Sequence, residues 1–137
     1  MGIDPSLGGT FLLGSRIAFV VRPDRPGTLV FLNISSDGKV SVLYPASRQE
    51  AEPLPPGQAF FMPGKSAAQR IVVREPVGMD LQFALMFDEP PPGLERLFHA
   101  RNMTPDDSRL LALESSLKAA SGKFTFATSS LRTIGPR

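Results

Sequence analysis

The sequence predicts a mainly β protein: an antiparallel β-sandwich of the immunoglobulin-like or Greek-key type, with about seven or eight short strands and one C-terminal helix before the last strand. Asp37-Gly38 stands between two apolar, strand-like runs at 28–34 and 39–44, the strongest short-range hairpin signal a sequence offers. Period-two alternation recurs along the chain, most clearly over 79–87. Fourteen prolines and twelve glycines punctuate these runs with turns.

Each element follows in order. Residues 1–9, rich in Gly, Pro and Ser, read as a flexible leader ahead of a single domain over 10–137. A short strand is expected at 10–13. Residues 16–22 alternate, with Ile17, Phe19 and Val21 on one side. Pro23 to Gly27 is a turn cluster. The run at 28–34 is nearly all apolar and should be a central strand covered on both faces. Residues 45–57 carry Pro53, Pro55 and Pro56, which remove donors and bar helix geometry. They read as an exposed loop crossing from one sheet to the other. Strands follow at 58–62, 69–74 and 79–87. In the last, Met79, Leu81, Phe83, Leu85 and Phe87 share the predicted core face. Pro90, Pro91, Pro92 and Gly93 end the strands. Thr104 reads as a helix cap, Pro105 as the first helical position, and Asp106 and Asp107 as acids at the positive end of the dipole. Leu110, Leu113 and Leu117 repeat at helical spacing, with Leu111 widening the stripe. A final strand at 123–128 points Phe124 and Phe126 inward.

Composition excludes several jobs. The 137 residues suit one domain with a real core, 42% being hydrophobic and ten being Phe. Fifteen basic residues interleave with thirteen acidic ones for a net charge of +2. With no concentrated basic patch, nucleic-acid binding is not expected. Trp is absent and Tyr44 is the single tyrosine, which argues against an aromatic platform for sugars or bases. The absence of cysteine rules out disulfides, thiolate catalysis and Cys-based zinc sites. The apolar runs are far too short to span a membrane, and residues 1–14 do not have the makeup of a secretory signal. The chain reads as soluble, in a compartment the sequence leaves open: cytoplasmic for an intact chain, exported for an excised domain.

No residue set carries catalytic, cofactor or metal chemistry, so none is expected. His99 is the only histidine, and no G-x-S-x-G elbow accompanies it. Asp88-Glu89 sits at a strand end, where neighbouring carboxylates point apart. Gly8, Gly9 and Gly14 lack the pattern of a phosphate cradle. What remains is recognition. Arg70 and Arg74 decorate strands with the type of side chain enriched at interfaces. Arg48 and Leu54 lie in the Pro-rich loop, and loops on a rigid scaffold commonly carry binding. These four are the candidate partner-binding residues. The helix is the second candidate contact surface.

The string SSDGKVSVLYP at 35–45, then LPPGQAFFMPG at 54–64 and REPVGMDLQFALMF at 74–87, resembles the bacterial domain of unknown function 4384. The resemblance covers about 14–90, leaving the helix and final strand (93–130) outside it. It implies an accessory module without catalytic residues, of the kind attached to caspase-like peptidases or Ser/Thr kinases. The expected function is therefore a non-catalytic protein-interaction domain that regulates or recruits a neighbouring domain. The alternative is a carbohydrate- or cell-envelope-binding module.

Overall fold

The computed structural model describes residues 2–4, 9–12, 16–17, 19–62, 71–72, 77–120 and 123–134, with side chains over 19–60, 77–120 and 123–133. The strands are β1 (Gly2–Asp4), β2 (Gly9–Leu12), β3 (Arg16–Ile17), β4 (Phe19–Arg22), β5 (Thr28–Ile34), β6 (Val40–Tyr44), β7 (Phe60–Met62), β8 (Ile71–Val72), β9 (Gly78–Phe87) and β10 (Phe124–Ile134). A 3-10 turn (Leu94–Leu97) and helix α1 (Ser108–Ala119) lie between β9 and β10.

The large sheet has the order β2-β10-β9-β5-β6. Its last four strands are mutually antiparallel, and β2 joins the β10 edge in parallel. A three-stranded sheet, β1-β4-β7, and a two-stranded one, β3-β8, complete the pairing. The 35–38 turn forms as its residues dictate. Gly38 N–H donates to Ser35 O at 2.8 Å and Ser35 N–H to Lys39 O at 2.9 Å. Gly38 takes φ +83°, which a side chain resists.

The large sheet is covered on both faces. On one, Phe19 and Val21 of β4 pack against Leu29, Phe31, Ala84, Met86 and Leu131. On the other, Leu94, Leu97 and Leu113 pack against Val30, Leu32, Val42, Leu85 and Phe87. Strand β5 is accordingly buried on both sides over its first five residues, as its apolar run predicts. Gly27, just before β5, lies so close to β9 that an added Cβ would stand 2.4 Å from the Phe87 carbonyl oxygen.

A polar row crosses the core beyond these apolar layers. Gln82 Nε2 donates to Asn33 Oδ1 at 2.8 Å, and Ser129 Oγ donates to Gln82 Oε1 at 2.8 Å. Asn33 Nδ2 donates to Asp80 Oδ2 at 3.1 Å. Burial pushes the Asp80 carboxyl up, against the lowering by Asn33 and the Ser36 N–H, while the Asp37 charge adds to the rise. The folded chain thus holds this proton more tightly than the unfolded chain. The stability linked to it is complete below the unfolded carboxylate value and is lost as pH rises through the folded one. Asp80→Asn, which cannot ionise, should melt above the wild type at pH 7. Thermal scans should show the gap closing below about pH 4.

Several expectations need correction. Ten strands lie among the described residues, against the seven or eight expected. Gly2–Asp4, assigned to a flexible leader, pairs antiparallel with β4 as β1. In the expected strand at 16–22, Arg16–Ile17 pair with β8, whereas Phe19–Arg22 pair with β1 and β7. The sheet is not wholly antiparallel, because β2 runs parallel to β10. In β9, Met79 and Leu81 are 48% and 42% exposed, whereas Gln82, Ala84 and Met86 on the supposed outer face are buried. Alternation marks one face of a strand but does not say which layers cover it. Phe126 is 62% exposed, not inward, while Phe124 packs near Phe87 at a ring distance of 6.1 Å.

Helix α1 starts later than expected, with Asp107 as its N-cap. The Thr104 hydroxyl is committed to Asp106 Oδ1 at 2.6 Å. Asp107 N–H closes a preceding turn on Thr104 O at 3.0 Å, and Asp107 Oδ1 takes the Arg109 N–H at 2.9 Å. The Arg109 guanidinium and backbone N–H together hold the Asp107 carboxyl down at about 2. Leu111 is 49% exposed and does not widen the buried stripe.

Candidate functional site

Two irregular segments meet beside the large sheet: loop 45–57 and the chain that follows β9. The loop connects β6 of the large sheet to β7 of the small one, so it crosses between sheets as its prolines suggest. Its shape is fixed from inside. Tyr44 Oη donates to Glu50 O at 2.5 Å, Ala46 N–H donates to Glu50 Oε1 at 2.7 Å, and Glu50 N–H to Ser47 Oγ at 3.2 Å. Tyr44 is buried against Phe60, 5.0 Å between ring centres in an edge-on arrangement. Burial, then the Glu50 charge, pushes its phenol up to about 12. Further on, Leu54 and Gly27 exchange both backbone bonds, at 2.7 and 3.2 Å.

After β9 the chain turns at Pro90, Pro91 and Pro92. Gly93, at φ +76°, then starts the 3-10 turn. Pro90 and Pro91 form a ridge with a groove on either side. One groove, about 330 Å³, lies between the ridge and the loop and is walled by Arg48, Glu52, Pro53, Glu95 and Phe98. The other, about 570 Å³, lies between the ridge and the last turns of α1, with Glu89, Ser115, Ser116, Ala119 and Lys123 on its walls. Both are open, both mix charge signs, and both have apolar floors. Asp88 at the second groove is held by Arg25 at 3.0 Å.

The four candidate residues divide. Arg48 is exposed and walls the 330 Å³ groove. Leu54 is half-buried against the core, tied down by its bridge to Gly27, and does not face that groove. Arg70 and Arg74 lie outside the described residues. The expected helix surface contributes through its C-terminal turns. Sequence reasoning missed the ridge, having taken the three prolines only as strand terminators. Their run beside a helix was the available signal. His99 is exposed, in a turn at φ +59°. Among the described residues, no group of His, Asp and Glu gathers as a metal site, and no helix is long and apolar enough to cross a membrane.

Residues 10–96 match the family described as Domain of unknown function (DUF4384). The chain belongs to this family. The match starts one residue into β2 and ends within the 3-10 turn, somewhat wider than the stretch that carried the resemblance. It takes in the loop and the Pro90–Pro91 ridge but not α1 or β10. In this DUF4384 chain, β10 nonetheless stands between β2 and β9, so the large sheet reaches beyond the family-matched region. Against the curated proteins and against the solved structures, the chain finds no match.

Proposed function

We propose that this domain is a non-catalytic accessory module that docks a protein segment on the double groove flanking Pro90 and Pro91, and so recruits or regulates a neighbouring domain of its own polypeptide. The reading takes the packing of β4 on the large sheet as a sandwich scaffold for that face. One observation carries it: loop 45–57 and the chain after β9, distant in sequence, together wall a groove with Arg48 at its mouth. Rigid scaffolds presenting irregular segments are the usual platform for recognition. Peptidase and kinase domains are the partner classes implied by the resemblance.

The test is a calorimetric titration with the other domains encoded in the same reading frame, supplied as a separate polypeptide. Arg48→Glu should weaken binding about tenfold or more by reversing a charge at the groove mouth. Ser115→Arg, an exposed change on the second groove, should act likewise. Both variants should melt as the wild type does. Affinity unchanged in both would remove this face from the function.

A further inference from the structure

Helix α1 covers only part of its face of the large sheet. Leu85 and Phe87 of β9 are buried in the cluster that contains Leu113. Earlier on the same side of β9, Phe83 is half-buried, and Met79 and Leu81 are exposed. On β10, Phe126 stands directly opposite Leu85, and Arg132 directly opposite Met79. Directly opposed residues share a face, so Phe126 and Arg132 belong to this one, and both are exposed. The face is therefore a step. On one part stands α1, about 10 Å high, the diameter of a helix. Beside it lies a lower apolar floor of Met79, Leu81, Phe83 and Phe126.

The outer side of α1 matches that floor. At about 100° per residue, Leu111 lies across the helix from the buried Leu113, with Glu114 one turn further along the same side. Leu111 is exposed, on the side where a surface helix normally carries polar residues. Glu114 is exposed as well and holds Lys118 at 3.3 Å. Asp80 and Arg132 are the only charged residues in the five strands of the sheet, and Asp80 points to the other face with Gln82. The floor thus carries one charge, and it is positive. Exposed apolar side chains gathered on one face mark an interaction surface.

We propose that a second copy of this chain docks on this face, the outer side of each α1 lying on the apolar floor of the other copy about a two-fold axis along the step. A raised part beside a lowered part is complementary to itself under that rotation, which is why the occupant is a second copy. The chemistry of the two parts agrees with the shape. Leu111 of one copy meets Met79, Leu81 and Phe126 of the other. Glu114, beside Leu111, comes to Arg132, the one charge on the floor. An isologous contact of this kind closes at two copies. It is independent of the grooves at Pro90 and Pro91, which none of these residues lines.

Analytical ultracentrifugation of the full chain should show a concentration-dependent dimer. Leu111→Lys, at an exposed site, sets a charge against the apolar floor and should weaken the dimer about tenfold or more, with the melting temperature unchanged. Glu114→Arg and Arg132→Glu should each weaken it as well. Combined in one chain they should restore it, because the pair is rebuilt with its signs exchanged. The chain has no cysteine, so introduced thiols are unambiguous reporters. Leu111→Cys mixed with Met79→Cys should give a disulfide-linked dimer under mild oxidation, and neither variant alone should, since the axis sets each thiol apart from its own copy. A wild type that stays monomeric to ~1 mM, where even weak contacts register, overturns the proposal and leaves the face to a different occupant. So does a dimer indifferent to Leu111→Lys, one that the charge exchange does not restore, or cross-linking no greater in the mixture than in either variant alone.

Discussion

Phe31→Ala is expected to lower the unfolding free energy by ~3–5 kcal/mol, the largest single effect foreseen for this domain. Phe31 is fully buried at the middle of β5, the strand between β9 and β6. Its ring lies 5.2 Å from that of Phe19, tilted by 44°. That contact joins the large sheet to β4 of the small sheet. Its ladder neighbours are Ala84 on β9 and Tyr44 on β6. Ala84 is too small to fill the vacated space, and Tyr44 is held by its hydroxyl bond to Glu50 O. The site therefore collapses poorly, and the cavity cost adds to the lost transfer free energy. Phe31→Leu, which keeps most of the volume, should cost less than half as much. Urea titration of both variants, with the slope compared to the wild type, measures the difference. A cost below ~1 kcal/mol for Phe31→Ala would place it with ordinary surface substitutions and would mean that the two layers are not held together here.

What the sequence makes legible is local. The hairpin follows from Asp37-Gly38, because a left-handed position and a short loop are properties of those residues themselves. The burial of β5 on both faces follows from its unbroken apolar run, and the sheet crossing at 45–57 from its prolines. What stays hidden depends on distant partners. Gly2–Asp4 has no strand signal of its own and becomes β1 only by pairing with β4. The second half of β10 is masked by Ser129, Ser130 and Arg132. Yet Ser129 is buried against Gln82, and Leu131 belongs to the core. In β9 the alternation is real, but two covering layers of unequal extent decide which side chains are wet. The candidate site has the same character. Arg48 could be singled out from the loop's composition. The groove it walls exists only because the chain after β9 returns to that loop, and no spacing in the sequence encodes the return. Leu54, in the same loop, packs its side chain partly against the core and bridges to Gly27, a placement that no local pattern in the loop encodes.

Gln82→Leu should destabilise the domain by ~2–4 kcal/mol, although it replaces a polar core side chain with an apolar one of similar size. The loss comes from what the amide leaves behind. Gln82 is fully buried on β9, with Asn33 and Ser129 as its direct neighbours on β5 and β10. Leucine gives the Ser129 hydroxyl no acceptor and the Asn33 carbonyl no donor. A buried group left unpaired costs ~1–3 kcal/mol. Asn33 is half-buried and keeps its bond to Asp80, so most of the penalty falls on Ser129, which is fully buried. Removing the stranded hydroxyl should therefore recover stability: Gln82→Leu with Ser129→Ala should be more stable than Gln82→Leu alone. The coupling in this double-mutant cycle should reach ~1 kcal/mol or more, in the range seen for residues that share a hydrogen-bond network. Denaturant titration of the four proteins measures it. Additive effects would mean that the amide and the hydroxyl act separately, and that the polar row is not a connected network across the sheet.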